Sequence, residues 1–118
     1  KVVTEYEGLV SREHIISSKD CTKGKPDPQP YLMGLERAGK ALGRTDSEGN
    51  PAPLNPWEAI GVENAPIGVQ SGTGAKILTI GVNTGPLPDK MLWDAGADIV
   101  IKPMTALRDS ISYLIGTI

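Results

Sequence analysis

Three short segments hold side chains whose types and spacing could do chemistry. The first is Lys23-Gly24-Lys25-Pro26-Asp27-Pro28. Prolines on either side of Asp27 reduce the conformational freedom of the loop, so less entropy is lost in fixing the Lys25 ammonium. A fixed cation of this kind suits phosphoryl transfer, where charge neutralisation outweighs covalent work; a solvated surface lysine on a proline-rich turn is the plainer alternative. The second segment is Glu63-Asn64-Ala65-Pro66, directly after an apolar run. A carboxylate and an amide side by side offer hard oxygens suited to Mg²⁺, while Asn64 could equally cap the helix that Pro66 opens. The third is the turn Asn83-Thr84-Gly85.

The elements that must position these groups follow from periodicity. Residues 14–17 (HIIS) read as a strand end, and residues 1–8 are too short and mixed to assign. Residues 18–30 carry three prolines and a glycine and form a loop. Tyr31, Leu32, Leu35, Ala38 and Leu42 then recur at helical spacing, with Pro30 in the first turn and the end near Gly43. Residues 44–56 are a connector or surface insertion, long for a helix-to-strand link where about 2–6 residues is usual. Residues 59–62, 77–82 and 98–101 read as strands; residues 66–74, 89–95 and 104–115 read as helices. Gly68, Gly72 and Gly74 fall inside one of those helices. They lack the Gly-Lys-Ser/Thr ending of a phosphate loop, so they read as packing residues that let the helix approach a sheet. Alternation of strand and helix predicts an α/β fold, a Rossmann-like three-layer sandwich with a mainly parallel sheet. In such sheets chemistry sits beyond the carboxyl ends of the strands, which is where all three segments fall.

The chain has 118 residues, 14 acidic against 12 basic, for a net charge of −2. That is the length of one domain and lacks the basic surplus a nucleic-acid surface needs. No apolar run approaches the ~20 residues of a membrane span. One cysteine, Cys21, excludes an internal disulfide framework, so a cytoplasmic setting is expected. Fourteen glycines and ten prolines make the chain loop-rich, yet 39% hydrophobic content supports a packed core. The first residue is lysine, not methionine, so a longer or processed polypeptide is expected.

Two stretches taken together, residues 20–31 (DCTKGKPDPQPY) and 61–72 (GVENAPIGVQSG), resemble the haloacid dehalogenase-like (HAD) phosphohydrolase superfamily. The branch is the one holding phosphoglycolate phosphatases and β-phosphoglucomutases. The resemblance implies that Lys25 is the lysine of the family's third motif and that Glu63-Asn64 stands where the fourth motif places its magnesium ligands, usually Glu-Asp. It would leave Asp20 and Asn83 on neighbouring loops, where they could orient Lys25 or the substrate. It implies Mg²⁺-dependent hydrolysis or phosphomutase chemistry on a small phosphorylated metabolite, through an aspartyl-phosphate. Three departures accompany it. The family's second motif, a Ser or Thr ending the strand after the nucleophile's, is missing. The family's Asp-x-Asp nucleophile segment does not occur in this sequence, and Asn64 replaces an aspartate. The chain, residues 1–118, is accordingly expected to be the carboxyl-terminal part of a HAD core without its cap domain and inactive alone. A missing amino-terminal half or another chain would complete the sheet beside residues 59–62. A non-catalytic regulatory or interaction module is the alternative.

Overall fold

A computed structural model describes residues 11–102 of the chain; the expectations for residues 1–8 and 104–115 lie outside the described residues. A 3₁₀ turn at Arg12–His14 is followed by α1 (Gln29–Ala41), a second 3₁₀ turn (Pro56–Glu58), β1 (Ile60–Glu63), α2 (Pro66–Gly74), β2 (Leu78–Val82), α3 (Asp89–Asp94) and β3 (Ile99–Ile101). The strands are parallel in the order β1-β2-β3. Helices and strands thus fall within a residue or two of the positions their periodicity predicts, and the fold is an α/β parallel-sheet fold.

Register shows which face does what. Gly61 pairs with Thr79 and Gly81 with Val100, so these residues share a face with Glu63. All three helices lie against it. The Tyr31 ring of α1 covers Gly61, Gly72 of α2 lies over Thr79, and Leu92 of α3 lies over Gly81. Of the glycines read as packing residues, Gly72 and Gly68 do that work, a Cβ at Gly72 coming within 2.5 Å of the Thr79 hydroxyl oxygen, whereas Gly74 lies against Pro28. Two clusters form the core, Leu35-Ala75-Ile77 and Val69-Leu92-Ala97. On the opposite face Ile80 and Val82 are buried, whereas Ile60, Leu78 and Val62 are 45%, 40% and 37% exposed.

The strand expected at residues 14–17 does not form. A strand needs free backbone groups and a neighbour to receive them. Here Ile15 O accepts from Arg37 Nη1 at 2.6 Å, and Ser17 N donates to Asp20 Oδ2 at 2.7 Å. Side chains have taken the groups a ladder would use.

The 44–56 connector is ordered by its own bonds. Asp46 Oδ1 accepts from the backbone N–H of Glu48 and Asn50, each at 2.9 Å, and Thr45 bridges Pro51. Arg44 grips Glu58 through two parallel bonds of 2.9 Å, the fork geometry that favours arginine over lysine. Leu54 N donates to Leu35 O at 3.0 Å, fastening the segment to α1. No helix among the described residues is long and apolar enough to cross a membrane.

Candidate functional site

The lysine loop is held at several points. Asp27 N donates to Gly24 O at 3.0 Å, closing a turn around Lys25 and the cis Lys25-Pro26 bond. Gln29 N donates to Asp27 Oδ1 at 2.8 Å, and Lys23 N donates to Gln29 Oε1 at 2.6 Å. From α2, the fully buried Ser71 donates its hydroxyl to Asp27 O at 2.6 Å. The loop is therefore tied both to α1, which it enters, and to the helix that follows the acidic corner.

Those ties bring Lys25 to Glu63. The ammonium and Glu63 Oε1 lie 2.5 Å apart, across 38 residues of sequence. The Lys25 side chain is 39% exposed and that of Glu63 only 10%. The same Oε1 accepts from the Tyr31 hydroxyl at 2.7 Å. Burial, reinforced by the bond to Glu63, pushes the Tyr31 phenol above its ordinary pKa, so it stays protonated and donating. The other oxygen, Oε2, faces α2 at Gly68, where a Cβ would stand 2.1 Å from it. Glycine is required there for the carboxylate to fit.

Beside this cluster a shallow cavity of about 240 Å³ opens at the carboxyl ends of β1 and β2, lined by Val62, Glu63, Asn64, Val82 and Thr84. The helix after the corner has Ala65 as its N-cap with no side-chain cap bond, so Asn64 does not cap it and is exposed at the cavity. Glu63 and Asn64 are oxygen donors of the type Mg²⁺ accepts. They offer one carboxylate, already paired with an ammonium, and one neutral amide. No group of three or more His, Cys, Asp or Glu converges among the described residues. A divalent ion at this corner would thus need further oxygens from elsewhere.

Neither Asp20 nor Asn83 is hydrogen-bonded to Lys25, whose partner is Glu63. Asp20 accepts from Ser17 N at 2.7 Å, Ser17 Oγ at 2.9 Å and Arg37 Nη2 at 3.1 Å. The Ser17 bonds first, then Arg37, hold its carboxyl down at about 2. Asn83 Nδ2 donates to Leu87 O and Asp89 Oδ1, both at 2.6 Å, and its Oδ1 accepts from Gly85 N at 3.3 Å. Its amide pins the 83–89 turn. Sequence reasoning did not single out Tyr31 or Thr84 as site residues. Tyr31 reads as a core position of an amphipathic helix, and only its contact with Gly61 reveals a hydroxyl aimed at Glu63. Thr84 was legible in principle, as a hydroxyl just beyond a strand's carboxyl end.

The site is thus a parallel α/β sheet with a partly exposed Lys–Glu contact and an open corner at its carboxyl edge. Comparison with known proteins narrows the class. No protein-family model matches the chain. Over 104 residues, 88% of this chain, it is 29% identical to glycerol-1-phosphate phosphohydrolase 2 of Saccharomyces cerevisiae, and it spans 38% of that protein's length. The solved structure of a chain assigned as a beta-phosphoglucomutase from Bacteroides vulgatus superposes with a TM-score of 0.80 at 34% identity, covering 97% of this chain and 41% of that one. A haloacid dehalogenase-like protein from Agrobacterium tumefaciens shares the fold, with a TM-score of 0.73 at 24% identity over 97% of this chain and 48% of its own. The chain is thus similar, over less than half of their length, to proteins described as phosphatases and phosphomutases, and it shares its fold with a haloacid dehalogenase-like protein.

Proposed function

We propose that this chain supplies part of the phosphate pocket of a phosphatase or phosphomutase acting on a small phosphorylated metabolite, possessing the lysine but not the nucleophile. The direct contact of Lys25 with Glu63 beside the open corner of β1 and β2 carries the reading. An ammonium has three N–H donors, and Glu63 takes one. The remaining two suit the oxygens of a transferring phosphoryl group, where a preplaced positive charge is worth about 10²–10³ in rate. Glu63 holds the ammonium beside the corner at rest, and the hydrogen-bonded loop fixes where its flexible stem begins.

Mg²⁺ at this corner would draw on Asn64 and on the Glu63 carboxylate, and would supply charge neutralisation for the phosphate. The amide contributes no charge, so affinity is weaker than an aspartate would give. The remaining oxygens and the nucleophile are assigned to polypeptide outside the described residues. The same polypeptide would pair with β1, an edge strand among the described residues, and cover Ile60, Val62 and Leu78. An apolar strand edge left bare invites pairing of this kind.

The test is hydrolysis of p-nitrophenyl phosphate, with and without Mg²⁺, by the longer polypeptide that carries an Asp-x-Asp segment. Lys25→Ala is expected to lower the rate at least about a hundredfold; an unchanged rate overturns the role given to Lys25. The second reading, a non-catalytic module, rests on Asn64 and on the lack of Asp-x-Asp in this sequence. It predicts no turnover even in the longer polypeptide.

A further inference from the structure

We infer that Tyr31 is a positioning residue: its hydroxyl holds the Glu63 carboxylate while Lys25 turns towards a bound anion. The inference rests on the phosphate-pocket reading above and adds a requirement to it. Glu63 Oε1 receives two donors, the Lys25 ammonium at 2.5 Å and the Tyr31 hydroxyl at 2.7 Å. The two differ in mobility. The Lys25 side chain is 39% exposed, on a flexible four-carbon stem. The Tyr31 ring lies against Gly61, where a Cβ would meet its Cε1 at 3.0 Å, and packs on the Leu35-Ala75-Ile77 cluster.

An anion drawing on Lys25 weakens the cation's hold on a carboxylate that is only 10% exposed. It also brings a second negative charge close to the first. A buried carboxylate left without a donor is costly. The Tyr31 hydroxyl removes that cost, because it is a second donor on the same oxygen and its ring is fixed independently of Lys25. Without it, Lys25 must stay on Glu63 and the anion is bound less tightly. Phenylalanine would fill the same space on Gly61 but could not perform this service.

The experiment titrates the protein with inorganic phosphate in EDTA, so that no metal contributes, and follows the Lys25 side-chain ammonium signal by NMR. Tyr31→Phe is expected to raise the phosphate Kd about tenfold while leaving the amide spectrum of the core unchanged. In a Glu63→Gln background no buried charge needs holding, so Tyr31→Phe is expected to change Kd less than twofold. Lys25→Met serves as the reference for the underlying reading. If it leaves phosphate binding intact, or if the unmodified protein binds no phosphate, the pocket assignment fails and takes the Tyr31 role with it. If Lys25→Met abolishes binding but Tyr31→Phe changes Kd less than twofold, the role of Tyr31 alone is refuted. An equal loss from Tyr31→Phe with and without Glu63→Gln also refutes it, since that marks a general packing effect.

Discussion

Replacing Gly68 with alanine tests whether the site geometry is as tight as the contacts indicate. A Cβ built at Gly68 stands 2.1 Å from Glu63 Oε2, 2.4 Å from Cδ and 3.1 Å from Cγ. These approaches are well inside van der Waals contact, so either the carboxylate or the helix must move by about 1 Å. A glutamate end is ordinarily free to swing away. This one is held by Lys25 at 2.5 Å and by Tyr31 at 2.7 Å, and such a shift breaks both bonds. Moving α2 instead disturbs the Ser71–Asp27 tie and the contact of Gly72 with Thr79. Overpacking of this kind costs about 1–3 kcal/mol, and alanine returns up to about 1 kcal/mol through better helix propensity. The expected net loss is about 1–2 kcal/mol, or a fall of about 0.5–1 M in the urea midpoint at the m-value usual for a small domain. In a Glu63→Ala background the obstruction is gone and only the propensity gain remains. Gly68→Ala should then be neutral or stabilising by up to about 1 kcal/mol. The difference between the two backgrounds corresponds to a coupling of about 1–3 kcal/mol between the two positions. Additive effects would refute the claim that Glu63 is pinned against α2.

Two further tests address stability away from the corner. Lys76 has φ of 65° in the turn from α2 to β2, a conformation that costs a side-chain-bearing residue about 1–2 kcal/mol. Lys76→Gly relieves it but loosens the unfolded chain, so a net gain of about 0.5–1 kcal/mol and a melting temperature higher by about 2–4 °C are expected; a lower melting temperature would refute the strain. Asp20, held down at about 2 from an ordinary 3.8, binds its proton less readily folded than unfolded. Its contribution is present above about pH 4 and is lost as pH falls through that window towards 2. In Asp20→Asn the urea midpoint should fall less steeply between pH 4 and 2 than in the unsubstituted protein; identical slopes would show that Asp20 does not carry this dependence.

Much of the architecture is written locally. The helical spacing of Tyr31, Leu35 and Ala38, the proline opening α2 and the apolar run at residues 77–82 each specify their own element, because period and capping chemistry act within a turn or two of chain. Alternation of those elements then leaves few topologies besides a parallel sheet. The Lys25 loop and the Glu63-Asn64 corner were legible for the same reason: each lies at an element boundary that the local pattern marks.

Sequence spacing could not show what happens between segments distant along the chain. Residues 14–17 have the composition of a strand, but Arg37, 22 residues from Ile15, took the carbonyl a ladder would need. Asn83 has the right type and place for a ligand, yet the fold turns its amide onto Leu87 and Asp89. Glu63 and Asn64 are neighbours in sequence, but tertiary packing gives them different tasks, one held by Lys25 and Tyr31, the other exposed at the cavity. The sequence by itself determined the elements, the parallel order that joins them and the residue types available at their ends. Only the folded structure decided which of those side chains meet, because a contact across 38 residues depends on how α1 and α2 seat on the sheet, and no local periodicity encodes that.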